Sequence, residues 1–309
     1  MANVSGRLAA IGIGSNSVRL LIAEPVGGRL SAVERLETVT RLASYRSGAG
    51  GVPLLTEESI GKTWATAANF ARHAAERGAT LVGIIATEAV RSAANRSELT
   101  GPLEQELGVP VTIISGENEA ELGWQTTSSG FEQGAALMVI DIGGASTDLS
   151  SGYAGVEAPE DVVSLKQGSR TLTRVFGLDE PVSSAILVNA LGYLNGEWGH
   201  RIAPMQPRPH IGVVIGGTAS VIADLRHHSL DGDSSTDALT ERGWLADWLE
   251  RAAAAGIEER VQMGIPRDRA DIVVGGGLIL LAIIDAVGLR HFYVSERNIL
   301  DGFISRSIT

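Results

Sequence analysis

Residues Leu137–Ser150 read LMVIDIGGASTDLS, and the reading of this stretch decides the fold. An apolar run, Leu137–Ile140, leads to Gly143-Gly144, and the chain resumes an apolar-ended course through Thr147 and Leu149. A buried strand, a glycine turn and a second strand follow from that pattern. Gly143, Gly144 and Ala145 carry almost no side-chain bulk, so backbone N–H groups there can approach an anion closely. Ser146 and Thr147 add hydroxyl donors, and Asp141 stands at a strand end where a carboxylate can hold a metal ion or a water.

A second copy lies near the start of the chain. Ala10–Leu20 reads AIGIGSNSVRL and superposes on the first stretch without a gap. Ile11-Gly12-Ile13-Gly14 falls on Ile140-Asp141-Ile142-Gly143, Ser17 on Ser146, and Leu20 on Leu149. Two strand–turn–strand phosphate loops predict a duplicated domain whose halves face each other across a cleft. The plainer alternative is a pair of unrelated β-hairpins that both use Gly and Ser in their turns.

The chain of 309 residues is long enough for two domains of ordinary size, and its 44% hydrophobic content is that of a soluble globular protein. No cysteine is present, which excludes disulfides and thiolate metal sites. No apolar run has the length of a membrane span and the N-terminus lacks a signal-peptide core, so a cytoplasmic protein without membrane partners is expected. A net charge of −11 argues against nucleic-acid binding. Lys62 and Lys166 are the only lysines, so arginine must do nearly all the cationic work on a polyanionic ligand.

In chain order, hairpin strands flank Gly14, Leu30–Thr40 supplies a third strand, and Ser44–Leu54 reads as glycine-rich loop. Helices are expected at Thr56–Arg77, after Thr87, at Glu98–Leu107 and from about Glu117, with strands at Leu81–Ala86 and Val111–Ser115. Beyond the Leu137 stretch come strands at Val162–Leu165, Ile211–Ile215 and Phe292–Val294. Helices are expected at Arg170–Phe176, Ser183–Leu194, after Gly216-Gly217, at Asp237–Ala254, at Asp268–Val287 with a break at Gly275–Gly277, and at about Arg297–Ile304. Alternating strands and helices in both halves make the class α/β with mixed sheets.

Ser115-Gly116-Glu117-Asn118-Glu119-Ala120-Glu121 concentrates carboxylates at a helix start, where the helix dipole alone would favour them. Following a strand that runs beside a cleft, one of them could instead orient a water. In-line attack on a terminal phosphoryl group needs an oriented nucleophile and neutralised equatorial oxygens. Glu119 as base, Arg91 as clamp, the two loops as cradles and a divalent cation fill those roles. Other motifs fail. Gly12-x-Gly14-x-x-Ser17 is a weak dinucleotide fingerprint, no GxxxxGK[ST] loop exists, and Asp231-x-Asp233-x-Ser235-x-Asp237 lacks the glycine and the bidentate Glu of a calcium loop. His227-His228 has no further ligand at metal spacing and reads as a surface pair.

These residues resemble the exopolyphosphatase/guanosine-pentaphosphate phosphohydrolase (Ppx/GppA) family of the actin-like ATPase superfamily. Ile11–Leu20 is similar to the family's first phosphate loop, Ala86–Asn95 to its A-T-x-A-x-R-x-A-x-N segment, and Ile114–Ala120 to its S-G-x-x-E-A block. Asp141–Leu149 is similar to D-I-G-G-G-S-T-E-L, and Val294–Gly302 to the closing V-S-E…G segment. The resemblance implies two ribonuclease-H-like domains around an interdomain cleft, 1–125 and 126–309, with a last helix at about 297–306 packing on the first domain. It implies hydrolysis of the terminal phosphate of inorganic polyphosphate or guanosine pentaphosphate with Mg2+ or Mn2+, by a homodimer. It makes Glu119 the catalytic base, with Arg91 on phosphate and Asp141 on metal or water. Phosphate contact then falls to Gly14, Ser15, Asn16, Ser17 and Arg19 in the first loop and to Gly143, Gly144, Ala145, Ser146 and Thr147 in the second. Gly216 and Gly217 join them, and Asp141 with Asp148 forms the metal set.

Three departures bear on the chemistry. Gly12 stands where the family has Asp, Ala145 replaces the third glycine of the second loop, and Asp148 replaces Glu. They raise a second reading, a polyphosphate- or alarmone-binding sensor that has lost catalysis. A third, an ATP-dependent kinase or chaperone-like ATPase, would use Gly216-Gly217-Thr218 but leaves the Glu119 block without a place.

Overall fold

The computed structural model describes residues 6–26, 29–47, 51–229 and 237–308. The chain divides into two compact units, Met1–Leu122 with Ile299–Thr309, and Gly123–Asn298.

The first unit opens with β1 (Arg7–Ile13), β2 (Ser17–Val26) and β3 (Arg29–Val39), then a short pair, β4 (Tyr45–Ser47) and β5 (Pro53–Leu55). The stretch expected as loop at Ser44–Leu54 thus carries a small two-stranded sheet. Helix α1 (Glu57–Glu76) follows, then β6 (Ala79–Ala86), α2 (Glu88–Ser92), α3 (Ser97–Leu107), β7 (Val111–Ile113) and α4 (Gly116–Thr127). The five-stranded sheet runs β3-β2-β1-β6-β7. β1 pairs antiparallel with β2 and parallel with β6, and β6 pairs parallel with β7.

Thr56 starts α1 by accepting the Ser59 N–H on its hydroxyl at 3.2 Å, a cap worth about 1 kcal/mol. The helix buries Ser59, Thr63, Ala67, Phe70 and Ala74, three or four residues apart, so one stripe meets the sheet. Alternation along β1 divides its side chains between the faces. Ala9, Ile11 and Ile13 join Ala67, Phe70 and Leu99 in one core. Leu8 and Ala10 join Ile299, Leu300 and Ile304 of the chain's last helix, α11 (Ile299–Ile308), in another. Gly12 is next on that second face, and a Cβ there would lie 3.1 Å from Leu300 Cδ2.

The second unit repeats the scheme. β8 (Ala136–Ile142), β9 (Thr147–Tyr153) and β10 (Asp161–Leu165) are followed by α5 (Ser169–Phe176), α6 (Ser184–Ile202), β11 (Ile211–Ile215) and α7 (Gly216–Ser229). Then come β12 (Asp237–Glu241), α8 (Arg242–Ala254), α9 (Ile257–Gln262), α10 (Val273–Val287) and β13 (His291–Ser295). Its sheet runs β10-β9-β8-β11-β13-β12. The first five strands match β3-β2-β1-β6-β7 in order, and β8, β11 and β13 are parallel as β1, β6 and β7 are. The duplication expected from the two loops is therefore present in the strand topology.

Two sequence expectations are corrected here. Residues 237–241 form a strand, paired antiparallel with β13 over five positions, and the helix begins only at Arg242. Helix α10 starts at Val273 and runs unbroken through Gly275–Gly277. Glycine inside a helix costs about 1 kcal/mol against alanine, and close packing accounts for it. A Cβ on Gly275 would lie 2.5 Å from the Ser169 carbonyl oxygen, and one on Gly277 2.5 Å from Leu249. The acidic loop read at Asp231–Ser235 and the side chains of His227 and His228 lie outside the described residues.

Candidate active site

The second loop is built at the β8–β9 hairpin. Asp141 stands opposite Asp148 and Ile142 opposite Thr147, and the Gly143 N–H closes the turn on the Ser146 carbonyl at 3.0 Å. The carbonyls of Gly143 and Gly144 are turned onto the start of α5. Gly143 O accepts the Ser169 N–H at 2.9 Å and the Ser169 hydroxyl at 3.1 Å. Gly144 O accepts the N–H groups of Arg170 (2.9 Å) and Thr171 (3.2 Å). In a trans peptide the N–H points opposite to the C=O, so the amides of Gly144 and Ala145 point away from α5. Amides left facing outward in this way are of the kind that can take an anion. Thr147 is tied down from the same side, its hydroxyl donating to the Gln167 carbonyl at 2.7 Å. Gly168 makes this seat possible, because a Cβ there would fall 2.5 Å from Ala145 N.

The first loop has the same construction at β1–β2. The Gly14 N–H donates to the Ser17 carbonyl at 2.9 Å, and Gly12 stands opposite Arg19 as Asp141 does opposite Asp148. Its carbonyls are held by the segment after β3. Asn16 O accepts from Thr40 (2.9 Å) and Arg41 (2.8 Å), and Ser15 O from Ala43 (2.9 Å). The amides of Asn16 and Ser17 therefore point away from that segment. Ser15, Asn16 and Ser17 are all buried.

Two side-chain donors at this loop are engaged by a residue that the sequence did not single out. Glu37 Oε1 accepts the Ser17 hydroxyl at 2.5 Å and the Arg19 Nε–H at 2.8 Å. The signal lies in the β2–β3 pairing register and in no local motif. That register puts Glu37 opposite Arg19.

Arg91 closes α2, where its guanidinium donates to Glu88 and to the Ile114 carbonyl, one residue before the cap of α4. Ser115 caps α4 by accepting the Asn118 N–H at 3.1 Å. Glu119 follows in the first turn, its N–H on the Ser115 carbonyl at 3.0 Å, and the residue is 7% exposed. Four residues along the same helix, Gly123 packs on Val139 and Ile215.

Asp141 and Asp148 are 7% and 2% exposed and directly opposed on adjacent strands. Like charges so placed repel, and buried carboxylates need positive charge beside them. A hard divalent cation that completes its shell with water and phosphate oxygens fits this all-oxygen pair. Among the described residues no larger cluster of His, Asp or Glu comes together. Gly216, with φ +88° at the head of α7, lies against the Asp141 carboxylate where a Cβ would collide with Oδ1. Gly217 is the next residue of α7. Arg260 shows what a purely structural buried cation looks like here. Its Nε donates to the Ala252 carbonyl and Nη1 to Ala270, at 2.8 and 2.9 Å. Burial pulls its pKa below the ordinary arginine value, against the opposing pull of Asp179, Glu180 and Asp271.

A model of the Ppx/GppA phosphatase family matches residues 21–309. The chain belongs to this family. Membership makes it a hydrolase of phosphoric anhydrides. Among curated relatives, Exopolyphosphatase 1 of Mycobacterium leprae is 26% identical over 311 aligned positions, covering 98% of this chain and 89% of the relative. The Mycobacterium tuberculosis protein of the same name is 27% identical, covering 98% and 88%. Solved structures of Ppx/GppA proteins share the fold. An Aquifex aeolicus family member aligns with a TM-score of 0.80 at 24% identity, covering 98% of this chain and 97% of its own. An exopolyphosphatase from Cytophaga hutchinsonii aligns at 0.85 and 22%, covering 98% of both chains. The paired sheets are thus those of the actin-like ATPase fold as Ppx/GppA proteins build it. Among the described residues no helix is long and apolar enough to cross a membrane.

Proposed function

We propose that this chain is an exopolyphosphatase that removes the terminal phosphate of inorganic polyphosphate. The observation that carries the reading is the pair of loops whose carbonyls are tied back, one of them ending beside the Asp141–Asp148 row. Their amides hold nonbridging phosphate oxygens. Asp141 and Asp148 hold Mg2+ or Mn2+, which when bound neutralises charge on the phosphoryl group. Glu119 accepts the proton of the attacking water. Arg91, braced by Glu88, clamps the terminal phosphate.

The test is phosphate release from polyphosphates of several lengths and from guanosine pentaphosphate, with and without magnesium. Glu119→Gln should abolish release while binding survives. Full activity in that variant would remove Glu119 from the mechanism. A sensor without turnover is the second reading, and Gly12 carries it, because the strand position that holds a carboxylate in the second unit holds none in the first. Silence of the wild-type chain on every substrate would favour it.

A further inference from the structure

The two hairpins differ in the cross-strand row that holds Gly12 and Asp141. In the second unit the row reads Asp141–Asp148–Ser164, whereas in the first it reads Gly12–Arg19–Glu37. The first unit has lost its acid from the inner strand and carries one on the outer strand instead. A single oxygen of that acid, Glu37 Oε1, takes hydrogen bonds from both Ser17 and Arg19. A phosphate oxygen entering the first loop would seek the same two donors in the same arrangement.

We propose that Glu37 is a built-in competing anion for the first loop, which sets the affinity and the length preference for polyphosphate. The proposal rests on the reading of the chain as a polyphosphate-binding Ppx/GppA protein and adds a specificity-determining residue to it. An incoming phosphoryl group has to take Ser17 and Arg19 away from Glu37. A long polyphosphate has further contacts along the chain with which to offset that exchange, and a short one has few. The pair is about one-quarter exposed, with side-chain exposures of 23% for Arg19 and 28% for Glu37, so solvent screens part of the competition. An exchange of this kind at a partly exposed pair corresponds to about a two- to five-fold change in affinity.

Two substitutions test it. Glu37→Gln keeps the shape and removes the charge, and Glu37→Ser copies the row of the second unit. Both should lower KM for polyphosphate about two- to five-fold while kcat stays within a factor of two. The gain should be larger for tripolyphosphate than for long chains. Calorimetric titration with magnesium tripolyphosphate should report the same tightening without turnover. A KM that rises in both variants would mean that Glu37 orients Arg19 for substrate, and an unchanged KM and titration would mean that it does neither. Either result overturns the proposal. Wild-type silence in phosphate release, with the titration still tightening in both variants, would sink the exopolyphosphatase reading and leave this one standing.

Discussion

Gly12 is where the first hairpin departs from the second, which carries Asp141 at the same place. Its Cα faces Leu300, whose Cδ2 would sit 3.1 Å from any Cβ, and Arg19 stands opposite it on the neighbouring strand. Gly12→Asp would therefore bring in a carboxylate opposite an arginine that Glu37 already holds, with little room above it. Overpacking should dominate and cost about 1–3 kcal/mol. Activity should not rise until Leu300→Ala is combined with it. The double variant should then lose less stability than the two single losses added together, by about 1 kcal/mol of coupling in urea melts. Strict additivity would show that Leu300 is not what closes this position. At this scale the sequence made both loops legible, because each is a local strand–glycine–strand pattern. Glu37 was not legible, because its partners are 18 and 20 residues away and depend on register. Gly168 was missed for a similar reason: only the folded seat reveals that its Cα touches the loop backbone.

Helix α10 makes the corresponding point for elements. A glycine triplet reads as a break when only local propensity is weighed, yet α10 runs straight through it. The triplet exists for α5 and its neighbours. Gly275 meets the Ser169 carbonyl, and Ser169 in turn holds Gly143 of the second loop. Gly275→Ala should raise intrinsic helix propensity by about 1 kcal/mol. It should nonetheless lower stability by about 1–3 kcal/mol, because the methyl collides with backbone that cannot swing aside. KM for polyphosphate should rise as the seat of the loop shifts. Denaturant melts and initial rates check both parts, and a stabilised variant with unchanged KM would show that the packing here is slack. β12 was misread by the opposite route. Asp237–Glu241 continues into helical residues in sequence, and it becomes a strand because the edge of β13 offers five paired positions. Helix α1, expected at Thr56–Arg77 and found at Glu57–Glu76 with Thr56 as its cap, was legible throughout.

For the molecule as a whole, charge poses a problem that the site must overcome. The chain carries a net −11, and the proposed substrate is a polyanion. Which field governs encounter depends on distance. At about 10 mM ionic strength the Debye length is about 30 Å, so an approaching polyphosphate feels the summed negative charge of the protein. At about 0.1 M it is about 10 Å, and only the groups lining the loops remain in range. Moderate salt should therefore remove repulsion before it weakens the short contacts to amides and arginine. The expected outcome is a rise in kcat/KM for long polyphosphate between about 10 and 100 mM monovalent salt at fixed free magnesium, followed by a decline at higher salt. Tripolyphosphate, with fewer charges, should show a shallower rise. A steady fall in kcat/KM from the lowest salt upward would mean that local positive charge already governs approach, and that the acidity of the surface lies away from the path of the substrate.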